Sequence, residues 1–186
     1  TMKKIFTLLA LTITFSMNAQ VSSGYYTSPI GFAATAIGGN TQANGDYSTA
    51  MGNYTYANGD NSTSMGKSTS ASGPNSTAMG YYTIATGFAA TAMGAETSAS
   101  DFGSIAIGQW NNSLSSLTTN GSATAYDADN TAFVIGNGTA FNAKSDAFKV
   151  MFNGDTTIGN DATIGNDLTV SGDVVVSSDA RLKSNI

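Results

Sequence analysis

Glycine recurs at positions 31, 38, 45, 52, 59, 66, 73, 80, 87, 94 and 108, all in one period of seven, and Asp101 alone interrupts the series. The heptads between the glycines alternate. NSTAMG (75–80) and FAATAMG (88–94) take turns with KSTSASG (67–73) and YYTIATG (81–87), so the true repeat has fourteen residues. A short repeat punctuated by glycine specifies a solenoid whose coils stack and share one continuous interior.

We label each heptad a to g, with glycine at g. Position c then reads Ala34, Thr41, Ser48, Thr55, Ser62, Thr69, Ser76, Thr83, Ala90, Thr97, Ser104. Position e is alanine from Ala36 to Ala106, with Ser64 the one exception. Residues two apart in a strand share a face, so c and e point the same way. A face restricted to Ala, Ser and Thr must meet another backbone at close range. The expected form is a flattened all-β roll with two short strands per coil and a thin interior. The glycines are expected to turn the chain sharply at the strand ends, where positive φ carries no steric cost for them. A phosphate-cradling role has weak support, because no GxxxxGK[ST] occurs and no GxGxxG opens a helix after a strand, and structural turns are favoured.

Positions d and f point outward, and here the two heptads differ. Position f in one is Ile37, Met51, Met65, Met79, Met93 and Ile107, with Ile135 in the same phase; in the other it is Asn44, Asn58, Ser72, Thr86 and Ser100. One wall is therefore apolar and the other polar. An exposed apolar row of this length is a liability on a monomer. It is expected to be the interface of an oligomer closed around a symmetry axis.

Charged residues make up only 10% of the chain, which opposes amphipathic helices, while 41% are hydrophobic and periodically placed, which opposes disorder. Met2, Lys3 and Lys4, the apolar run from Ile5 to Phe15, and Met17-Asn18-Ala19 before Gln20 have the layout of a secretory signal peptide. Residues 1–19 are read as that signal, cut between Ala19 and Gln20, with residues 20–30 leading into the roll. The apolar run is too short for a permanent membrane span, and no later stretch approaches the ~20 apolar residues a transmembrane helix needs. The mature chain is expected to be secreted or displayed at the cell surface. It keeps Lys67, Lys144, Lys149, Arg181 and Lys183 against twelve acids, a balance that excludes nucleic acid as a partner. Cysteine is absent, so packing and oligomerisation must provide the stability.

Residues 109–153 are expected to form an irregular coil and a closing β element. The stretch 109–128 loses the glycines while spanning nearly two repeats, as a looser coil would, and carries Trp110, read as packing over the end of the roll. Phe148, Val150 and Phe152 then alternate with Ala147, Lys149 and Met151, like a strand with one buried face. Over residues 154–176 the period becomes six. Ile158, Ile164, Val170 and Val176 stand in one column, which Leu182 continues, and Asp155, Asp161, Asp167, Asp173 and Asp179 stand in another. A narrow β stalk is expected. The aspartates could attract Ca²⁺, but a solvated edge that discourages strand aggregation is favoured. The calcium-loop patterns are absent, and neither metal nor cofactor is assigned.

NSTAMG, NSTSMG (61–66) and DYSTAMG (46–52) resemble the repeats of the YadA-like head of trimeric autotransporter adhesins. The resemblance covers residues 31–108. It implies a left-handed parallel β-roll that forms a homotrimer through its apolar wall, with Ile37, Met51, Met65, Met79, Met93 and Ile107 at the interface. The string SDARLKSNI (178–186) resembles the opening of the intramolecular chaperone peptidase domain that ends phage tailspikes and endosialidases. That resemblance starts such a domain at residues 177–186 and implies self-cleavage between Ser177 and Ser178, with Ser178 as nucleophile and Lys183 as base. A lysine base must first lose its proton, which needs desolvation or nearby positive charge. Ten residues do not supply that, so the 186-residue chain alone is expected to be inactive and cleavage belongs to the full-length protein. With no histidine in the sequence, a Ser-His-Asp triad is excluded.

The reading of function is a secreted or cell-surface trimeric fibre, adhesin-like, that attaches to a carbohydrate or protein ligand and matures by C-terminal self-cleavage. A phage-type tail fibre with an autoproteolytic chaperone is the alternative. Ice or polysaccharide binding along Thr35, Thr49, Thr63, Thr77 and Thr91 is a minor one, opposed by the methionines on the same wall. The outer wall, with Gln42, Tyr56, Ser70, Ile84 and Ser98, changes from coil to coil and spells no binding code.

Overall fold

A computed structural model describes residues 21–24, 26–112, 121–165 and 168–173. Within them the chain winds in coils, each a long strand followed by a short one. The long strands are β1 (Val21–Ser23), β3 (Thr35–Gly39), β5 (Thr49–Asn53), β7 (Thr63–Lys67), β9 (Thr77–Tyr81), β11 (Thr91–Ala95) and β13 (Ile105–Gln109). The short ones are β2 (Ser28–Pro29), β4 (Gln42–Ala43), β6 (Tyr56–Ala57), β8 (Ser70–Ala71), β10 (Ile84–Ala85) and β12 (Ser98–Ala99). Each stacks in parallel on its counterpart fourteen residues away, so that Met51 pairs with Met65 and Met65 with Met79. The result is a parallel β-solenoid of 14-residue repeats, with a sheet of long strands facing a sheet of short ones. Three strands extend the long sheet: β14 (Thr131–Asn137), which is parallel to β13, and β15 (Asp146–Met151) and β16 (Thr156–Ile158), which are antiparallel additions.

The interior is the predicted one. Every c residue from Ala34 to Ser104 and every e residue from Ala36 to Ala106 is buried. Among the described residues, the buried hydrophobic ones apart from Val134 are all alanines. Threonine and serine complete the filling, and the hydroxyls of Thr41, Thr55, Thr83 and Thr97 find no hydrogen-bond partner among the described residues. Thr69 does find one, because Ser64 replaces alanine opposite it and the two hydroxyls lie 2.7 Å apart.

The glycines act differently from the expectation that they turn the chain. The turns are made at position b, in the left-handed region, by non-glycine residues at both corners except for Gly103: Tyr26, Ala33, Asn40, Tyr47, Tyr54, Asn61, Ser68, Asn75, Tyr82, Ala89, Glu96 and Trp110, with φ between 46° and 59°. Such values are uncommon outside glycine, and Asn is among the residues enriched there. Glycine is needed instead because the coils approach each other too closely for a side chain. A Cβ on Gly31, Gly45, Gly59, Gly73 or Gly87 would sit 1.9–2.2 Å from the carbonyl oxygen fourteen residues ahead. Gly38, Gly52, Gly66, Gly80 and Gly94 face the same obstruction and also take φ of 121–128°.

The looser coil expected after Gly108 adds no rung to the long sheet. β13 pairs directly with β14 across 28 residues, Ile107 opposite Ile135 and Gly108 opposite Gly136. Phase is kept because 28 is twice the repeat. The chain supplies the next rung with β14, and residues 121–130 lie along the corner of the roll, where Ala123 and Ser122 carbonyls accept the N–H groups of Phe88 and Phe102. Asn111, fully buried, closes the short sheet: its side chain accepts from Ser98 N–H at 2.8 Å and donates to Ser98 C=O at 3.0 Å, where the next coil's backbone would otherwise bond. Trp110 meets Phe141 edge to face, with ring centroids 6.5 Å apart. Of the hexad segment, Thr156–Ile158 is strand; the described residues from Gly159 to Asp173 have no strand in the single chain and are exposed.

Close approach and turning separate cleanly at two neighbouring positions. Gly87→Ala places a methyl group against the Asp101 carbonyl and is expected to cost about 3 kcal/mol or more. Ala89→Gly, in the left-handed position, trades relief of roughly 1 kcal/mol of strain against a comparable entropic loss, and should change stability by less than about 0.5 kcal/mol. Chemical denaturation of the two variants checks this; a tolerated Gly87→Ala would contradict the close approach of the coils, and a disruptive Ala89→Gly would contradict the left-handed corner at Ala89.

Candidate interaction surfaces

The two outer walls carry different chemistry. On the long sheet, Ile37, Met51, Met65, Met79, Met93 and Ile107 are brought into one unbroken column by the strand register, and Ile135 continues it. Seven rungs at about 4.8 Å per strand make a strip roughly 30 Å long. The side chains are partly to well exposed, reaching 39% at Met79. Thr35, Thr49, Thr63, Thr77 and Thr91 form a parallel column on the same face. The Thr ladder and the Met ladder therefore share one wall.

The short-sheet wall and its corners are polar and uneven. Asn44 donates to Asn58 on the next coil at 2.7 Å. At the corner, Asp46 and Asp60 each accept a backbone N–H from the residue fourteen before, Phe32 and Asp46 respectively, at 2.7 and 3.0 Å. These carboxylates span the gap between coils where the backbone alone leaves a donor unmet. Where the corner passes to Phe88 and Phe102, stacked at 5.3 Å, the returning segment supplies carbonyls instead.

A cleft opens in this wall. Tyr54, Tyr56, Lys67, Ser68, Ser70, Tyr82 and Ile84 line a space of about 450 Å³. Its walls come from alternate coils: Tyr56, Ser70 and Ile84 are consecutive partners in the short sheet, and Tyr54, Ser68 and Tyr82 take the same left-handed corner position. Small residues on the middle coil leave the floor low. Lys67 lies over the Tyr81 ring at 5.7 Å, and Tyr81 packs edge to face on Tyr82 at 4.6 Å. Reading the outer wall one coil at a time misses this cleft. The sequence signal is the column Tyr54, Ser68, Tyr82, where a serine stands between two tyrosines at fourteen-residue spacing.

Asp101, which interrupts the glycine series, is a buried structural acid. Its carboxylate accepts the N–H of Thr131 at 2.7 Å, tying the last coil to β14. Burial pushes its carboxyl above the ordinary range, against the opposing effects of the Thr131 hydrogen bonds and the Lys149 charge. Among the described residues, no group of three His, Cys, Asp or Glu side chains could hold a metal ion, and no helix is long and apolar enough to cross a membrane. The predicted signal cleavage site Ala19–Gln20 and the residues Ser177, Ser178 and Lys183 lie outside the described residues.

Fold and repeat length define a β-solenoid repeat protein with one apolar and one polar wall. Residues 30–55, 57–83 and 85–109 match the family model of the YadA head domain repeat (2 copies). Each match spans nearly two coils, so the roll is built from YadA-like head repeats. No curated protein sequence matches the chain.

The Asp101 carboxyl sets a testable pH dependence. A folded-state pKa above the unfolded value means that the folded chain binds the proton more tightly. Stability therefore rises as pH falls from neutrality toward the ordinary aspartate value of about 3.9. Asp101→Asn keeps an acceptor for Thr131 and removes the titration. The stability of wild type relative to Asp101→Asn is expected to increase between pH 7 and pH 4, measured by urea denaturation. A difference that stays flat or falls would contradict a raised pKa.

Proposed function

We propose that this chain forms the head of a homotrimeric, adhesin-like fibre that is secreted or displayed at a cell surface and attaches through its polar wall or tip. The observation that carries this reading is the continuous Ile and Met column on the long sheet. The roll holds almost only alanine, threonine and serine inside and keeps its larger apolar side chains outside. Three chains packed around an axis bury one such column each and leave the polar walls facing outward. The match to YadA head repeats favours the trimer over other closed rings. The hexad segment after Ile158, exposed in one chain, gains neighbours when three chains run together as a stalk.

Export rests on the signal layout of residues 1–19, with cleavage between Ala19 and Gln20. Maturation rests on SDARLKSNI: in the full-length protein Lys183 takes the proton of Ser178 Oγ, which attacks the Ser177 carbonyl carbon; the Ser177–Ser178 C–N bond breaks as that proton passes to the Ser178 amine, and water hydrolyses the resulting ester.

Sedimentation of the full chain is expected to show a trimer, and Met65→Asp with Met79→Asp to shift it to monomer by placing three charges together on each rung of a dry axis. A monomeric wild type overturns the assembly. For maturation, Ser178→Ala in the full-length protein should leave the polypeptide uncut when its mass is measured; cleavage at the same bond removes Ser178 from the role.

A further inference from the structure

The cleft on the short-sheet wall has a shape and chemistry that single out a ligand class. Tyr54 and Tyr82 stand two coils apart at equivalent corner positions, with φ of 55° and 51°, and Tyr56 and Ile84 extend the same two walls along the short sheet. Strand spacing of about 4.8 Å puts the two walls roughly 9.5 Å apart at the backbone. A flat aromatic ring, touching both walls at carbon contact distances of 3.5–4.0 Å, fills only about 7 to 8 Å. One ring, flat or puckered, fits this gap, while two stacked rings do not. The floor is hydroxylic, from Ser68 and Ser70, and the tyrosines add phenol groups, so the cleft offers apolar faces and hydroxyl partners together.

Charge narrows the class further. Lys67 is the only Lys or Arg between residues 21 and 112, and it stands in this cleft, exposed, with no Asp or Glu in the lining. Its ammonium lies over Tyr81. In an acidic chain, the one cation of the roll is placed where its partner must come from outside.

We propose that this cleft binds one pyranose ring of an acidic saccharide, stacked between the Tyr54 and Tyr82 walls, with its carboxylate at Lys67 and its hydroxyls on Ser68 and Ser70. Free polysaccharide and surface-anchored glycan share this chemistry. The inference deepens the attachment reading without depending on trimerisation, because every lining residue belongs to one chain and none stands in the methionine column.

The test uses the full chain and a hyaluronan hexasaccharide, whose glucuronate rings carry the carboxylate, with chitohexaose as the neutral ring probe and polyglutamate as a charge without rings. Hyaluronan binding by calorimetry is expected to weaken at least tenfold in Tyr82→Asn and in Lys67→Gln, and to persist in Asn142→Ala, which is outside the lining of the cleft. Asn already occupies the Tyr82 column at position 40, and Asn61 and Asn75 take the same left-handed conformation at the opposite corner, so the corner conformation is retained. Tyr82→Phe should keep most of the affinity, as stacking requires. Absence of hyaluronan binding at millimolar concentration overturns the proposal, as does full affinity in Tyr82→Asn. Chitohexaose bound as tightly as hyaluronan overturns the carboxylate contact, and polyglutamate bound as tightly overturns the ring. A hyaluronan oligosaccharide immobilised on vesicles, bound as tightly as the free one, extends the site to anchored glycans; binding of the free form alone restricts it to soluble polysaccharide. Sedimentation of each variant keeps the two readings apart: a trimer that does not bind sinks this site alone, and a monomer that binds sinks only the assembly.

Discussion

Everything in this roll follows from how closely its coils are stacked. Backbone hydrogen bonds fix the rise from one coil to the next at the spacing of paired strands, and at two corners per coil nothing lies between one backbone and the next. A methyl group at either corner would overlap the carbonyl ahead of it, with virtual Cβ to oxygen distances of 1.9–2.2 Å. Glycine at both corners is thus a requirement of the stack. The same closeness acts across the roll, where two facing sheets leave room for alanine, serine and threonine and little else. A core of that kind buries few methylene groups per coil, and hydrophobic stabilisation scales with the apolar area removed from water. Stability within one chain must then come largely from the backbone ladders and the close packing they permit, while the larger apolar side chains stand outside.

Asp101 illustrates the constraint by breaking it. It occupies the corner glycine's place in the last coil before the chain leaves the roll, and its side chain reaches Thr131, thirty residues on. A carboxylate fits only where the regular stack ends. Other backbone groups at this end of the roll are met by comparable substitutions of side chain or segment for backbone. Asn111 satisfies Ser98 with an amide in place of a peptide, and the returning residues Ser122 and Ala123 accept from Phe102 and Phe88. An open sheet edge invites pairing with another chain, and these closures leave little of this end of the short sheet available for it.

The period made the architecture legible and concealed some of its causes. Alternation of c and e against d and f followed from small residues recurring at fixed spacing, and the buried and exposed faces lie where that spacing places them. The turning residues were not legible, since the b column mixes Tyr, Asn, Ala, Ser, Glu and Trp and shares only a backbone conformation. Glycine drew the turn assignment because it is the residue best suited to positive φ, although its place here is set by contact between coils. The excursion after Gly108 was misleading for a different reason. A 28-residue step preserves the fourteen-residue phase, so periodicity alone does not distinguish two coils from one rung with an insertion.

A solenoid makes surface features by columns, and the two walls use this in opposite ways. On the long sheet, repetition of one residue type at each rung yields a uniform strip, which suits an interface between identical chains because each copy presents the same row to an axis. On the short sheet, variation along the column makes relief. A serine between two tyrosines lowers one rung and opens a cleft about two strand spacings wide, without any loop or insertion. Recognition on such a wall is therefore written by which rung is made small, and a single exchange at Ser68 or Ser70 for a larger residue would fill the cleft while the backbone ladder beneath it stayed as it is. The wall that must be constant and the wall that is free to vary are thus set by the same fourteen-residue repeat.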